Sequence, residues 1–250
     1  MEIIKTKNLS KRYNGNLAVD SLNLSIEKNR IVGLVGPNGS GKTTAMRMIC
    51  GLLRQTNGEV EINGLNLSRN LSKIQEMLGY LPQQNALFPD LTVYENLYYF
   101  GAVFGVCDRK LLNRKINDLL EKLGLKDQKK QRIEKLSGGF QRRTAVACSL
   151  LHNPEIIILD EPTIGLDPAI RVEFWNLFKG LKSQGKTILI STHYMEEADE
   201  CDEVIILNRG KLAGFGGPDE LRKKVFGNVY DLSQTKSKNS FENVYLNLTK

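Results

Sequence analysis

The sequence predicts an α/β fold with a mainly parallel core sheet, an N-terminal antiparallel β subdomain and an inserted helical lobe. Three observations carry this. Ile31-Val32-Gly33-Leu34-Val35 is a short apolar run of the kind a buried parallel strand requires. It feeds Gly36-Pro37-Asn38-Gly39-Ser40-Gly41-Lys42-Thr43, which reads G-x-x-x-x-G-K-T, and a helical pattern follows from Thr44 to Leu52. A second apolar run, Ile156 to Leu159, ends on Asp160-Glu161 and reopens the α/β alternation after a long helical stretch.

Before the first loop, Ile3-Ile4, Leu9, Leu17, Val19, Leu22, Leu24 and Ile26 recur at period two, predicting two or three strands with Tyr13 at a turn beside Asn14-Gly15. Glu59 to Ile62 reads as a strand, and Asn63-Gly64 as a hairpin turn. Leu78 to Leu81 is another strand, ending at Pro82-Gln83. From Thr92 to about Leu125 the apolar spacing is helical; Lys126 to Lys135 reads as a basic, solvated link. A further helix opens near Ser137-Gly138 and stops at Asn153-Pro154. Residues 85–152 therefore read as the inserted lobe. Strands at 156–159, 187–191 and 204–207 follow, with helices at 168–181, 195–200 and 218–225 and a strand at 211–215. Residues 1–226 are expected to form one domain, and the stretch from Gly227 to Lys250 a short polar tail.

Lys and Arg number 35 against 28 acidic residues, a net charge of +7. This favours anionic partners such as nucleotides or a lipid surface, although solubility alone also accounts for it. The four cysteines are widely spread, with no C-x-x-C pair, and read as reduced, core-packing thiols. Met1 to Ser10 carries charges and no apolar signal-peptide segment. The apolar runs fall well short of the ~20 residues a spanning helix needs, so any membrane crossing is expected of another chain.

The first loop is a phosphate cradle. Its glycines allow a tight backbone that presents N–H groups to phosphate oxygens, and the following helix adds its positive end. Lys42 should reach the β- and γ-phosphates, and the Thr43 hydroxyl should bind Mg²⁺. Its four specified positions would coincide by chance in roughly one random chain of this length in a hundred. An apolar strand that ends in a carboxylate places Asp160 at the carboxyl edge of a parallel sheet, where ligands bind. Asp160 would hold Mg²⁺, and Glu161 could polarise the attacking water as general base. At Leu136-Ser137-Gly138-Gly139-Phe140-Gln141, Ser137 suits an N-cap. Two glycines in a first helical turn cost about 1 kcal/mol each relative to alanine, which makes sense if the backbone must closely approach something. A phosphate suits such a helix start.

In this order and spacing, Gly36–Thr43, Leu136–Gln141 and Ile156–Glu161 resemble the ATP-binding-cassette (ABC) ATPases, over residues 1 to about 225. The resemblance implies a P-loop NTPase fold, with ATP and Mg²⁺ as ligands. It implies nucleotide contacts from Gly36, Pro37, Asn38, Gly39, Ser40, Gly41, Lys42, Thr43 and Thr44. Tyr13 resembles the aromatic that stacks on adenine, and Gln83 the glutamine that links Mg²⁺ to the helical lobe. Asp167, in Gly165-Leu166-Asp167, resembles the residue at the dimer seam, and His193 the histidine that contacts the γ-phosphate. Each has a plainer rival: a strand-edge aromatic for Tyr13, a loop residue for Gln83 or Gln84, a helix cap for Asp167, and a surface or core histidine for His193. His152 reads as structural. Phe140 departs from the usual glutamine of the signature, with Gln141 next to it, while Ser137-Gly138-Gly139 is intact.

The resemblance further implies the nucleotide-binding subunit of a membrane transporter, at the cytoplasmic side of the cell membrane as a peripheral protein. Its partners would be transmembrane permease subunits and a second ATPase subunit, most simply a copy of itself. Each ATP would then lie between one chain's phosphate loop and the other's Ser137-Gly138-Gly139. The stretches Gly79–Gln83, Phe88–Thr92, Tyr94–Leu97 and His193–Ala198 are similar to export-type members of the multidrug or lipid-linked group. The alternatives are an importer's ATPase and a soluble cassette ATPase acting on nucleic acid or ribosomes. The latter group inserts long coiled coils or doubles the cassette, neither of which is seen, so no nucleic-acid partner is expected. A plain P-loop kinase leaves residues 136–141 unexplained.

Overall fold

The computed structural model describes residues 1–227 and 240–249. Strands β1 (Glu2–Tyr13) and β2 (Asn16–Glu27) form a long antiparallel hairpin. Their period-two pattern buries Ile4, Leu9, Val19, Leu22 and Ile26. β3 (Ile31–Val35) leads through the phosphate loop into α1 (Lys42–Ile49). β4 (Asn57–Ile62) turns at Asn63 (φ 49°) and Gly64 (φ 78°) into the short β5 (Leu65–Asn66). These left-handed dihedrals match the hairpin turn read from Asn-Gly. The order β2-β1-β4-β5 makes the antiparallel subdomain.

β6 is Leu78–Leu81, β7 Ile156–Asp160, β8 Thr187–Thr192, β9 Glu203–Asn208 and β10 Lys211–Gly216. The second sheet runs β10-β9-β3-β8-β7-β6, parallel except for the antiparallel edge strand β10. Its parallel strands are mainly apolar and buried because both faces are covered. Ile31, Val35, Ile157, Leu159, Ile188, Ile190, Val204 and Ile206 face the helical side. Val32, Leu34, Ile156, Ile158, Leu189, Ile205 and Leu207 pack against α1 and the antiparallel sheet.

Between β6 and β7 lies the helical lobe. The single helical stretch expected over 92–125 is two helices, α3 (Val93–Val103) and α4 (Arg109–Lys122), numbered here after α2 (Leu71–Met77), which precedes β6. The break has a local cause. Gly105 turns at φ 77°, and the Asp108 side chain then caps α4 by accepting from the backbone of Lys110 and Leu111. Thr92 and Glu95 form a reciprocal capping box at the start of α3. The signature helix, α5 (Gly138–Leu150), ends before Asn153 (φ 61°) and Pro154, as expected.

α6 (Pro168–Ser183) buries Phe174, Trp175 and Phe178, and α7 (Pro218–Phe226) follows β10. Residues 228–239, half of the expected polar tail, lie outside the described residues. Beyond them, α8 (Phe241–Leu248) packs against α7 and the 3₁₀ turn at Met195–Glu200, with Phe241 and Val244 buried. Its apolar residues Phe241, Val244, Tyr245 and Leu248 recur at helical spacing, a signal the overall polarity of the tail hides. Cys50, Cys148 and Cys201 are buried and free, and burial pushes their thiols up. Cys107 departs from the core-packing expectation and is exposed on the lobe.

Candidate active site

Four adjacent strands of the parallel sheet deliver the predicted residues to one edge. The register pairs Val35 with Thr192, Asp160 with Ser191, and Leu81 with Leu159. The phosphate loop after β3, His193 after β8, Asp160-Glu161 at the end of β7 and Gln83 after β6 thus meet at the carboxyl ends of neighbouring strands.

The loop from Gly36 to Gly41 is fixed by close approach of backbone. A Cβ on Gly36 would lie 2.4 Å from the Leu207 carbonyl, and one on Gly41 2.5 Å from that of Ala18. Gly41 also needs its left-handed φ of 104° as the residue capping α1. Gly39, at φ 80°, faces open space. The backbone of Ser40 accepts from Gly210, which anchors the loop to the turn after β9. Pro37 and Asn38 are exposed, and Thr43 and Thr44 are half-buried in the first turn of α1. Ala18, Asn38, Gly39, Gly41 to Thr44, Gln83 and Glu161 line one open hollow of about 370 Å³.

Lys42 is 5% exposed; its ammonium donates to the carbonyls of Gly36 (2.7 Å) and Pro37 (3.2 Å) and stands 3.7 Å from Glu161 Oε1. Burial lowers its pKa, and the nearby Glu161 and Asp160 oppose the shift. Glu161 Oε2 accepts from Gln83 Nε2 at 3.2 Å and lies 3.4 Å from His193 Nδ1. Glu161 itself has a left-handed backbone, φ 48°, which costs a non-glycine residue about 1–3 kcal/mol and clusters at functional sites. Asp160 is wholly buried: Oδ1 accepts from Ser191 Oγ at 2.5 Å, and Oδ2 has no partner. Ser191 Oγ also accepts from Glu161 N at 2.9 Å, so one serine orients both acids. Sequence reasoning missed Ser191, although the register of two parallel strands that both end at the site would point to it.

Other residues sit apart from this cluster. Tyr13 is exposed at the tip of the β1–β2 hairpin, with the Lys11 ammonium 5.2 Å from its ring. Ser137 occupies the N-cap position of α5, as expected, and Asp167 that of α6, but neither side chain makes a capping bond. Both are exposed. Gly138 faces open space, whereas Gly139 meets Ile170 of α6, whose Cδ1 would be 3.1 Å from an added Cβ. Gln141 donates to the carbonyls of Ile133 (3.2 Å) and Leu136 (3.0 Å), bracing the loop before the signature. Phe140 packs partly on the core with Arg143 5.7 Å from its ring. His152 is structural as expected: its Nε2–H donates to Leu78 O at 2.9 Å, and it stacks on Phe104.

The unpartnered Oδ2 of Asp160, on the strand that packs against α1 and near enough to Lys42 to act on its charge, fits a hard cation that takes most of its ligands from phosphate and water. Among the described residues no cluster of three or more His, Cys, Asp or Glu forms a cage for a metal by itself.

The comparisons agree with this chemistry. The family profile described as ABC transporter matches residues 19–164. The probable multidrug ABC transporter ATP-binding protein YbhF of Escherichia coli (strain K12) is 40% identical over 220 residues, covering 88% of this chain and 38% of that protein. The chain therefore spans well under half the length of that relative. The Nod factor export ATP-binding protein I of Ralstonia nicotianae is 38% identical over 220 residues, covering 88% of this chain and 68% of that one. A dimeric, post-hydrolysis structure of the ATP-binding cassette MJ0796, bound to ADP and Pi, superposes with a TM-score of 0.80 at 30% identity, over 86% of this chain and 98% of that one. The chain belongs to the ABC transporter family, and the fold and site described here are its ATPase domain.

Proposed function

We propose that this chain binds ATP with Mg²⁺ at the edge formed by β3, β8, β7 and β6, closes as a dimer over two nucleotides, and so powers export through a membrane permease. The observation that carries the reading is the convergence on Glu161: Lys42 stands at one carboxylate oxygen and Gln83 and His193 at the other. Residues 36–44 cradle the phosphates through backbone N–H groups and Lys42. The Thr43 hydroxyl, Asp160 Oδ2 and the Gln83 amide would hold Mg²⁺, which offsets charge on the β- and γ-phosphates when bound. Glu161 takes the proton of the water that attacks the γ-phosphorus. The bond from that phosphorus to the bridging oxygen breaks, and ADP leaves with its electron pair. His193 orients the γ-phosphate, and Tyr13 stacks on the base, worth about 1–3 kcal/mol.

The hollow beside the phosphate loop contains none of Ser137, Gly138 or Gly139, which supports their use by another chain. Asp167 then lies at the seam between the two chains. The dimeric neighbour bound to ADP and Pi supports this assembly. The printed names of the relatives, multidrug transport and Nod factor export, support the export direction over import.

Among the described residues no helix is long and apolar enough to cross a membrane, so the proposed place is peripheral, on permease subunits at the cytoplasmic membrane face. The contact surface is placed on the lobe beside Leu87-Phe88-Pro89. Leu87 packs on the lobe core, and Phe88 is held by Asn96 and by edge contact with Tyr99, its ring centroid 4.8 Å away. A groove of about 850 Å³ lies alongside, lined by Leu52, Gln75, Tyr80, Val103, Phe104 and His152. Leu52, Val103 and Phe104 are exposed apolar residues there. Cysteines placed at Val103 and Phe104 should cross-link to an integral membrane protein in cells. Capture of ribosomal proteins or nucleic acid instead would favour the soluble alternative.

A further inference from the structure

We propose that Arg142 is a positioning residue for hydrolysis, setting from α5 the two loops that bring Glu161 and Gln83 together. The inference rests on the assignment of Glu161 as the general base. Arg142 is 4% exposed and lies one helical turn beyond Gly138. Its Nη2 donates to the carbonyls of Asp160 (2.7 Å) and Glu161 (2.9 Å), and its Nε to that of Pro162 (3.1 Å). Its Nη1 donates to the carbonyls of Pro82 (3.0 Å) and Gln83 (3.1 Å) and to Asn85 Oδ1 (2.9 Å). One guanidinium thus clasps three consecutive carbonyls at the end of β7 and two at the end of β6. The side chains of Glu161 and Gln83, whose carbonyls it holds, meet each other at 3.2 Å.

Two features separate this from ordinary packing. First, α5 is already anchored by Val146, Ala147, Leu150 and Leu151, which are buried in the core, so the helix does not depend on an internal cation. Second, Glu161 sits in a left-handed backbone conformation that its surroundings must impose. Ser191 holds its N–H and Arg142 its carbonyl. Burial pushes the guanidinium down to about 10, which leaves it charged at neutral pH, with Asp160 and Glu161 favouring that charge. Arginine's rigid fork of five donors is suited to this clasp, and lysine's single ammonium, with three donors, is not. None of the six bonds reaches residues 36–44, so the clasp acts on turnover and not on the nucleotide cradle.

The test uses Arg142→Lys in the full chain, alone and combined with Glu161→Gln, with ATPase rates and binding of a fluorescent ATP analogue. Arg142→Lys should lower kcat by about tenfold or more, as a small misplacement of reacting groups does. It should leave the Kd of the analogue within about twofold. In the Glu161→Gln background it should change the residual rate by less than about twofold, because both changes act through one group. Should Arg142→Lys fail to fold, Arg142→Gln takes its place with the same expectations. A wild-type kcat for the folded variant overturns the proposal, as does an equal fall in affinity, or the same fold-loss in both backgrounds. A full rate for Glu161→Gln alone overturns it by a separate route, since Arg142 would then hold a loop that carries no base.

Discussion

Lys42 and Glu161 stand 3.7 Å apart, ammonium to carboxylate, each with about a twentieth of its side chain exposed. The cation proposed for the γ-phosphate therefore neighbours the group proposed to activate water, and both are supplied from one sheet edge. Neutralising Glu161 removes a counter-charge that competes with phosphate for Lys42. Glu161→Gln should thus bind ATP as well as or better than the unmodified chain, while hydrolysis falls about 10²–10⁴-fold. Single-turnover ATPase and nucleotide-binding titrations check the two halves separately. A rate near wild type would remove Glu161 from its role.

Ser191 is the joint between the two acids, accepting from Glu161 N and donating to Asp160 Oδ1. Ser191→Ala leaves a buried carboxylate oxygen and a backbone N–H without their partner, a loss of about 1–3 kcal/mol at each unsatisfied group. The expected outcome is a lower melting temperature together with a weakened Mg²⁺ dependence of ATPase activity. Magnesium titration at saturating ATP measures the latter, and an unchanged midpoint would contradict the assignment of Asp160.

Much of this site was legible in the sequence because its parts are local. The phosphate loop, the apolar strand into Asp160 and the glycines after Ser137 each announce themselves within a few residues. The parallel sheet makes their meeting almost automatic, since strand ends converge wherever strands are adjacent. Long-range side-chain contacts were not legible. Arg142 sits in the charged run Gln-Arg-Arg, yet it shares a helix face with buried Gly139, Val146 and Ser149. That spacing was the available signal. The break between α3 and α4 was hidden because the apolar pattern continues on both sides of Gly105. The helix Phe241–Leu248 was hidden because only four apolar positions, read at the right period, distinguish it from polar tail.

The aromatic cluster on α6 sets a stability prediction. Phe178 is fully buried and meets Phe174 and Trp175 edge-on, with ring centroids at 5.9 and 5.7 Å. Phe178→Ala should cost about 3–5 kcal/mol, the range for an aromatic removed from a close-packed core. Phe178→Leu should cost less. Denaturant unfolding of both variants gives the comparison, and an alanine variant as stable as wild type would contradict the packing described.

His152 predicts an acid dependence. Burial, ahead of its bond to Leu78 O, holds its pKa below the ordinary value of 6.5. The unfolded chain takes up this proton at about pH 6.5, and the folded chain only at lower pH. Between those values the unfolded state binds more protons, so stability falls as pH drops. His152→Gln removes the titration. Its stability deficit relative to wild type should narrow as pH is lowered from about 7.5 to about 5.5. Melting curves of both proteins across that range test this, and a constant or widening gap would contradict it.

The central claim is that each ATP site is completed by Ser137-Gly138-Gly139 of a second copy. It is tested by mixing Lys42→Ala, which damages the phosphate cradle, with Ser137→Arg, which blocks the signature face. Each homodimer has one defective half in every site and should be nearly inactive. In a two-fold dimer, random pairing gives about half heterodimers, each with one intact site and one that gathers both lesions. About a quarter of all sites are then whole. The same mixture is made with both variants carrying Glu161→Gln, and occluded ATP is counted by rapid filtration, so that a site unable to fire alone is still seen. The account predicts that occluded ATP returns to about a quarter of the level of the Glu161→Gln dimer. Heterodimers that form, as shown by native mass spectrometry, yet occlude no more ATP than either parent would contradict it.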